Sequence, residues 1–212
     1  MYVKDRMTVN PITIDKSVPI SKALDIMATN HFHRLPVVDQ NGALVGLVTE
    51  GIISENTPSK ATSLSIYELN YLLSKTKCGD IMHTDIQTIS PEALLEEAAV
   101  KMRAYNIGCL PVVEDNKVIG IITQNDIFAA FVDLLGYNVQ GYRYVILVDE
   151  DKPGIMADAC RCFSNKGISI RNSAVYHTSR GVEMVIISEV EEETMVDELK
   201  ANGFNVTSVM KR

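Results

Sequence analysis

The apolar positions of this chain repeat one order of patterns. From Ile20 a helical spacing runs through Leu24 and Met27, and a strand-like run, LPVVDQNGALVGLVT, follows from Leu35. The same order returns as Leu95, Ala99 and Met102, followed by LPVVEDNKVIGIIT from Leu110. Spacings of i, i+4 and i+7 put side chains on one face of a helix, whereas short β-branched runs broken by turn residues predict strands. Aligning Met7 with Met82, Thr13 with Thr88 and Pro36 with Pro111 gives a constant offset of 75, which becomes 74 at Gly46 and Gly120. The deletion falls between two strand-like runs, where Asn41-Gly42 predicts a two-residue hairpin turn and antiparallel neighbours. Ser90 and Pro91 predict the cap and first residue of the second copy's helix. Each copy reads βαββα, and two such copies packed on each other leave a cleft between them.

Two further stretches lie outside the repeat. Residues 56–77 separate the copies, with a polar loop ending in a helical IYELNYLLSK whose apolar positions are Ile66, Leu69, Leu72 and Leu73. After a linker at 136–141, the pattern predicts strand 143–149, helix 154–165, strands 168–177 and 181–188, helix 191–201 and strand 204–210. That order is βαββαβ, a ferredoxin-like arrangement. The expected organisation is therefore repeat one at 1–55, insert 56–77, repeat two at 78–135, linker 136–141 and a third domain at 142–212.

Composition narrows the classes of function. With 212 residues, 46% hydrophobic, the chain can bury ordinary cores, and its formal charge of −7 lacks the basic stripe a nucleic-acid backbone demands. No segment reaches the roughly 20 apolar residues of a membrane span, and MYVKDRMTVNP has no apolar signal core. These features read as a cytoplasmic protein without membrane or nucleic-acid partners. Cys78, Cys109, Cys160 and Cys162 lack paired CxxC spacing, so they are expected as reduced thiols in or near cores, with no metal site. No nucleophile elbow, P-loop, zinc motif or dinucleotide glycine fingerprint is present, which argues against catalysis.

The opening Met, the T-[VI] pair, hPVV, GhhT and the following xD[IL], in register in two copies over residues 1–130, resemble the CBS (cystathionine beta-synthase) domain, whose tandem pairs form a Bateman module. The insert before a third domain resembles the acetoin utilisation regulatory proteins. The resemblance implies an adenosine-containing ligand, AMP, ATP or a related molecule, with adenine against the hPVV strand and an acidic side chain three residues after the threonine holding the ribose hydroxyls. Thr123 and Asp126 match that pattern, and an ionised carboxylate can accept from both cis hydroxyls. Asn125 and Asp126 also open a helical run, so the alternative for Asp126 is a capping residue. Thr88, Ile89, Ile107, Gly108, Cys109, Leu110 and Pro111 are expected to line the same pocket, Gly108 allowing close approach. His33 and Arg34 are placed to face phosphates or to form a solvated loop. His31 and His83 read as surface residues. In the first copy Ile52 stands where Asp126 stands in the second, leaving that site either structural or served by Thr49 and Glu50. One competent site per chain is expected.

VDEDKPGIM at the first strand-to-helix turn and KGISI after that helix resemble an ACT domain over residues 142–212. This implies amino-acid binding where two copies meet, with Asp151 for an ammonium group, Gly154 for a carboxylate at helix amides and Asn172 for further polar groups. The alternative is a Pro153-Gly154 turn in a domain that only dimerises. The sum is a regulatory sensor, homodimeric by both resemblances, requiring no cofactor and acting on a regulated protein. An assembly protein with empty pockets is the alternative, and an enzyme ranks behind both.

Overall fold

The computed structural model describes residues 1–58, 65–148, 152–189 and 194–211. They form two compact units, Met1–Ile127 and Phe128–Arg212. The expected Asp151, the loop before the insert helix and the start of the helix at 191–201 reach beyond the described residues.

The first unit opens with a 3-10 turn (Val3–Asp5), β1 (Thr8–Val9), β2 (Ile14–Asp15), α1 (Ile20–Asn30), β3 (Arg34–Val38), β4 (Leu44–Thr49) and α2 (Glu50–Glu55). The insert helix α3 (Ile66–Lys75) and the short α4 (Cys78–Ile81) lead into α5 (Leu95–Tyr105), β5 (Cys109–Glu114), β6 (Lys117–Thr123) and α6 (Gln124–Leu134), which passes into the second unit. Ser65 and Glu68 close a capping box that starts α3 where the apolar pattern predicts it.

Each repeat holds the other's edge. β1 pairs antiparallel with β6, and His83, just after the second repeat's opening Met82, pairs with Leu47 of β4. The amides of Val3 and Lys4 donate to the Ala93 and Pro91 carbonyls, while those of Cys78 and Gly79 donate to Val18 and Lys16. The side chains are exchanged as well: a Cβ on Gly46 would lie 2.1 Å from Met82 Sδ, and one on Gly120 would lie 2.5 Å from Met7 Sδ. Both glycines leave room for the opening methionine of the opposite repeat.

Both hairpins are antiparallel, but their turns invert the expectation. The two-residue loop is Asp115-Asn116, both at positive φ, closed by the Glu114↔Lys117 pair. The first hairpin has a three-residue loop ending at Gly42 with φ +82°, braced by Asp39 Oδ1 accepting from the Asn41 and Ala43 amides. Positive φ at two successive residues suits a type I′ turn, and a glycine in the left-handed region suits a three-residue loop. The extra loop residue accounts for the change in offset. Ser90 and Pro91 form a turn rather than the helix start: α5 begins at Leu95, with Glu97 Oε2 accepting from the Leu94 amide. The preceding carbonyls are already taken by the N-terminal segment, which delays the helix. Burial follows Ile20, Ala23 and Met27 in α1 and Leu95, Ala98 and Met102 in α5, so Leu24 and Ala99 sit at the margin of the stripe.

The second unit contains β7 (Tyr142–Val148), α7 (Ile155–Asn165), β8 (Ile170–Thr178), β9 (Gly181–Ser188), α8 (Met195–Ala201) and β10 (Asn205–Lys211). All neighbours are antiparallel, in the order β10-β7-β9-β8, as the βαββαβ pattern requires. Tyr144 and Phe163 meet edge to face at 5.3 Å within a core of Ile146, Met184, Ile186 and Leu199. The opposite sheet face meets the tail of α6 and the chain beyond it: Asn172 Nδ2 donates to the Leu134 carbonyl at 3.0 Å, and Ile187 lies against Gly136. This tail groups with the second unit, ahead of the expected linker at 136–141. A Cβ on Gly141 would stand 2.0 Å from the Ser188 carbonyl oxygen, which ties the strand entry to a glycine.

Candidate functional site

The exchange of edges creates two cavities related by the internal repeat. The first, about 410 Å³, is lined by Thr8, Pro11 and Ile12 from the opening segment, His31, Phe32, His33, Arg34 and Pro36 around β3, and Gly108, Ile121 and Thr123 to Asp126 from the second repeat. The second, about 370 Å³, takes Leu47 and Thr49 of β4, His83 and Asp85 to Gln87 of the second opening segment, and Tyr105 with Ile107 to Cys109. Arg34 and Gly108 line both. Either volume lies within the range of a small-molecule site.

Thr123 ends β6 and caps α6. Asp126 Oδ2 accepts from the Thr123 amide at 2.7 Å and from its hydroxyl at 2.8 Å, while the Asp126 amide donates to Thr123 Oγ1 at 3.4 Å. The cap therefore joins Thr123 to Asp126, with Asn125 at neither end. Both acceptances fall on Oδ2, and a carboxylate offers lone pairs on two oxygens, so capping fixes Asp126 at the cavity while leaving Oδ1 as an acceptor.

The first repeat repeats the cap without the acid. Thr49 Oγ1 accepts from the Ile52 amide at 3.2 Å, but the Ile52 side chain is buried in the first repeat's core. Glu50 turns to His33, with Oε2 and Nδ1 2.8 Å apart. Thr49 lines the second cavity, whereas Glu50 is absent from the lining of both.

Arg34 is positioned by what faces it. A Cβ on Gly108 would lie 3.0 Å from Arg34 Nη1, so the absence of a side chain there lets the guanidinium rest over the strand entry. Burial pushes the Cys109 thiol upward, and the Arg34 guanidinium beside it opposes that shift. A buried thiol kept neutral is a poor nucleophile or metal ligand. Cys78 and Cys162 lie in the two cores, Cys160 is half-buried, and all four cysteines are free. Among the described residues no cluster of three or more His, Cys, Asp or Glu forms a metal site, and no helix is long and apolar enough to cross a membrane.

The expected pocket residues divide accordingly. Asp126, Thr123, Gly108, His33 and Arg34 meet in the first cavity, while Ile107 and Cys109 face the second. Thr88, Ile89, Leu110 and Pro111 are not among the lining residues: Ile89 pairs in parallel with Val112, the Pro111 carbonyl accepts from the Ile89 amide, and Leu110 is fully buried. Thr8, Pro11 and Ile12 take the position expected of Thr88 and Ile89. They follow the opening Met7 as Ile86 and Gln87 follow Met82 in the second cavity, and their assignment to the opposite repeat follows from pairing that periodicity does not encode. His31 and His83 are exposed, as expected, and each also lines a cavity.

In the second unit Gly154, with φ +94°, precedes α7 and lines a shallow depression with Lys152, Pro153, Ile155 and Met156. Nothing lies within 4 Å of its Cβ position, so the positive φ explains the glycine without a packed neighbour. Asn172 faces the α6 tail, its Oδ1 buried without a hydrogen-bond partner.

The CBS domain family model matches residues 3–56 and 78–133. The L-aspartate semialdehyde sulfurtransferase of Methanocaldococcus jannaschii is 31% identical over 130 residues, covering 61% of this chain and 23% of that protein. The chain thus spans about a quarter of the curated relatives it first matches. Among solved structures, an acetoin utilization protein (AcuB) from Vibrio cholerae is 30% identical with a TM-score of 0.54, covering 65% of this chain and 95% of that one. The CBS domain pair of protein MJ0100, in complex with 5′-methylthioadenosine and S-adenosyl-L-methionine, is 30% identical with a TM-score of 0.53 over 63% of this chain and 97% of that one. CBSX2 in complex with AMP has the same identity and coverages, with a TM-score of 0.52. With both repeats matched and more than half of its residues covered, this chain belongs to the CBS-domain family.

Proposed function

We propose that this chain is a non-catalytic regulatory protein that senses an adenosine-containing nucleotide, AMP, ATP or a related molecule, in the cavity bearing Asp126. The observation that carries the reading is the joining of Thr123-Asp126 from one repeat with His33 and Arg34 from the other, a ribose acceptor and a phosphate donor around one cavity. Similar CBS pairs hold AMP, S-adenosyl-L-methionine or 5′-methylthioadenosine. Occupancy acts by favouring one arrangement of the chain over another, which requires differential binding and no chemistry on the ligand. The βαββαβ order and the Gly154 turn support reading the second unit as an ACT domain that binds an amino acid where two copies meet, with Gly154, Asn172 and Asp151 as the residues to test. Exposed Phe128, Phe131 and Leu134 support a homodimer, the likeness to AcuB a place in acetoin utilisation, and the four free thiols a cytoplasmic setting. The regulated protein is a partner separate from this chain.

A scaffold reading draws on Ile52, whose burial removes one ribose acceptor from the pair. Thermal-shift measurements separate the two. A ligand that binds only the folded state raises apparent stability by about 2.7 kcal/mol at a hundredfold excess over Kd. The sensor reading expects a rise with adenine nucleotides that Asp126→Ala removes; no rise with any nucleotide leaves the scaffold.

A further inference from the structure

Arg34 is singular in a molecule built by duplication. Its counterpart in the repeat is Cys109, and the counterpart of His33 is Gly108, so the duplication places one guanidinium where two equivalent positions exist. That guanidinium lines both cavities and lies over Gly108, which lines both as well. Among the described residues it forms no ion pair. The second cavity otherwise carries one histidine, His83, against the carboxylate of Asp85. Without Arg34 it has no permanent cation to offset an anion.

We propose that Arg34 is a single phosphate receptor shared by the two cavities, so that the chain accepts a phosphate group in one of them at a time. A phosphorylated nucleotide at Asp126 engages the guanidinium and closes the second cavity to anions; an unphosphorylated nucleoside at the same place leaves it open. A planar guanidinium can pair bidentately with one phosphate, and a second phosphate beside the first meets repulsion and Asp85 in place of a counter-charge. The inference rests on reading the cleft as a nucleotide site, and it turns that reading into a rule of selectivity: the second cavity responds to whether the first ligand carries phosphate.

The four histidines of the chain allow the two cavities to be watched separately, with His31 and His33 reporting the first and His83 the second. The imidazole proton resonances, assigned with His83→Gln and His33→Gln, are followed during titration of the full chain with inorganic pyrophosphate. Pyrophosphate alone is expected to move both sets. With saturating AMP the His83 response should weaken by about tenfold or more in apparent affinity, the scale of one lost charge-assisted hydrogen bond, while saturating adenosine leaves it unchanged. Arg34→Gln should abolish both pyrophosphate responses, with its ligand-free spectrum confirming the fold. An undiminished His83 response under AMP that has itself moved His31 or His33, or wild-type responses in Arg34→Gln, overturns the proposal. If AMP and adenosine leave His31 and His33 unmoved, the nucleotide reading fails separately, and joint loss of the pyrophosphate responses in Arg34→Gln still supports a shared receptor.

Discussion

At Gly46 a single methyl group is enough to test how the repeats are locked. Gly46→Ala drives a Cβ into Met82, which overpacking places at a cost of about 1–3 kcal/mol. Met82→Ala in the same chain should recover much of that loss, and a double-mutant cycle by chemical denaturation reads the coupling; additive losses would contradict the exchange of methionines. A second prediction concerns alkali. Burial pushes the Cys78 thiol up from 9.0 to about 11, so in that window the unfolded chain loses a proton that the folded chain keeps. Stability is then complete below pH 9.0 and falls as pH rises toward 11, by at most about 1.4 kcal/mol per pH unit from this group. Cys78→Ala should flatten part of that slope, the rest coming from Cys109 and Cys162, whose thiols burial also pushes upward. Residue identities at this scale were largely legible: Met, Thr, Gly and Asp126 stand out in register. Which methionine meets which glycine was not, because an apolar period specifies a buried face and leaves the identity of the neighbouring strand open.

Among the elements, the first turn of α6 both caps a helix and presents a ligand group. Asp126→Ala removes both and should cost about 1 kcal/mol of stability together with nucleotide binding. Asp126→Asn keeps an oxygen acceptor for the Thr123 amide but removes the ionised acceptor of the ribose, so its melting temperature should stay near wild type while binding weakens. Equal losses of stability in the two variants would show that the cap depends on charge rather than on an acceptor. Strand exchange gives a sharper test: removing residues 1–9 strips β1 from β6 and the Val3 and Lys4 amides from the turn before α5. The second repeat should lose protection along β6 and α5 in hydrogen exchange, whereas a self-contained repeat would keep it. Helices α1, α3 and α5 and the βαββαβ order followed from periodicity, yet the turn at Asp115-Asn116 and the late start of α5 did not. Both depend on hydrogen bonds from distant segments and on backbone angles that Asn41-Gly42 signals only locally.

For the molecule as a whole, two compact units predict two separable stabilities. The second has its own core around Tyr144, Phe163 and Met184, so residues 128–212 expressed alone should melt cooperatively. In the intact chain AMP should raise the transition belonging to residues 1–127; movement of the other transition alone would place the ligand elsewhere. The measurement that bears most directly on the sensor reading is calorimetric titration of AMP against its 2′,3′-dideoxy analogue, in wild type and in Asp126→Asn. A carboxylate that accepts from both ribose hydroxyls should make wild type prefer AMP by about tenfold or more, and Asp126→Asn should erase most of that preference while remaining folded. Equal affinity for the two compounds in wild type, or an undiminished preference in Asp126→Asn, would contradict Asp126 as the ribose acceptor and the nucleotide site built around it.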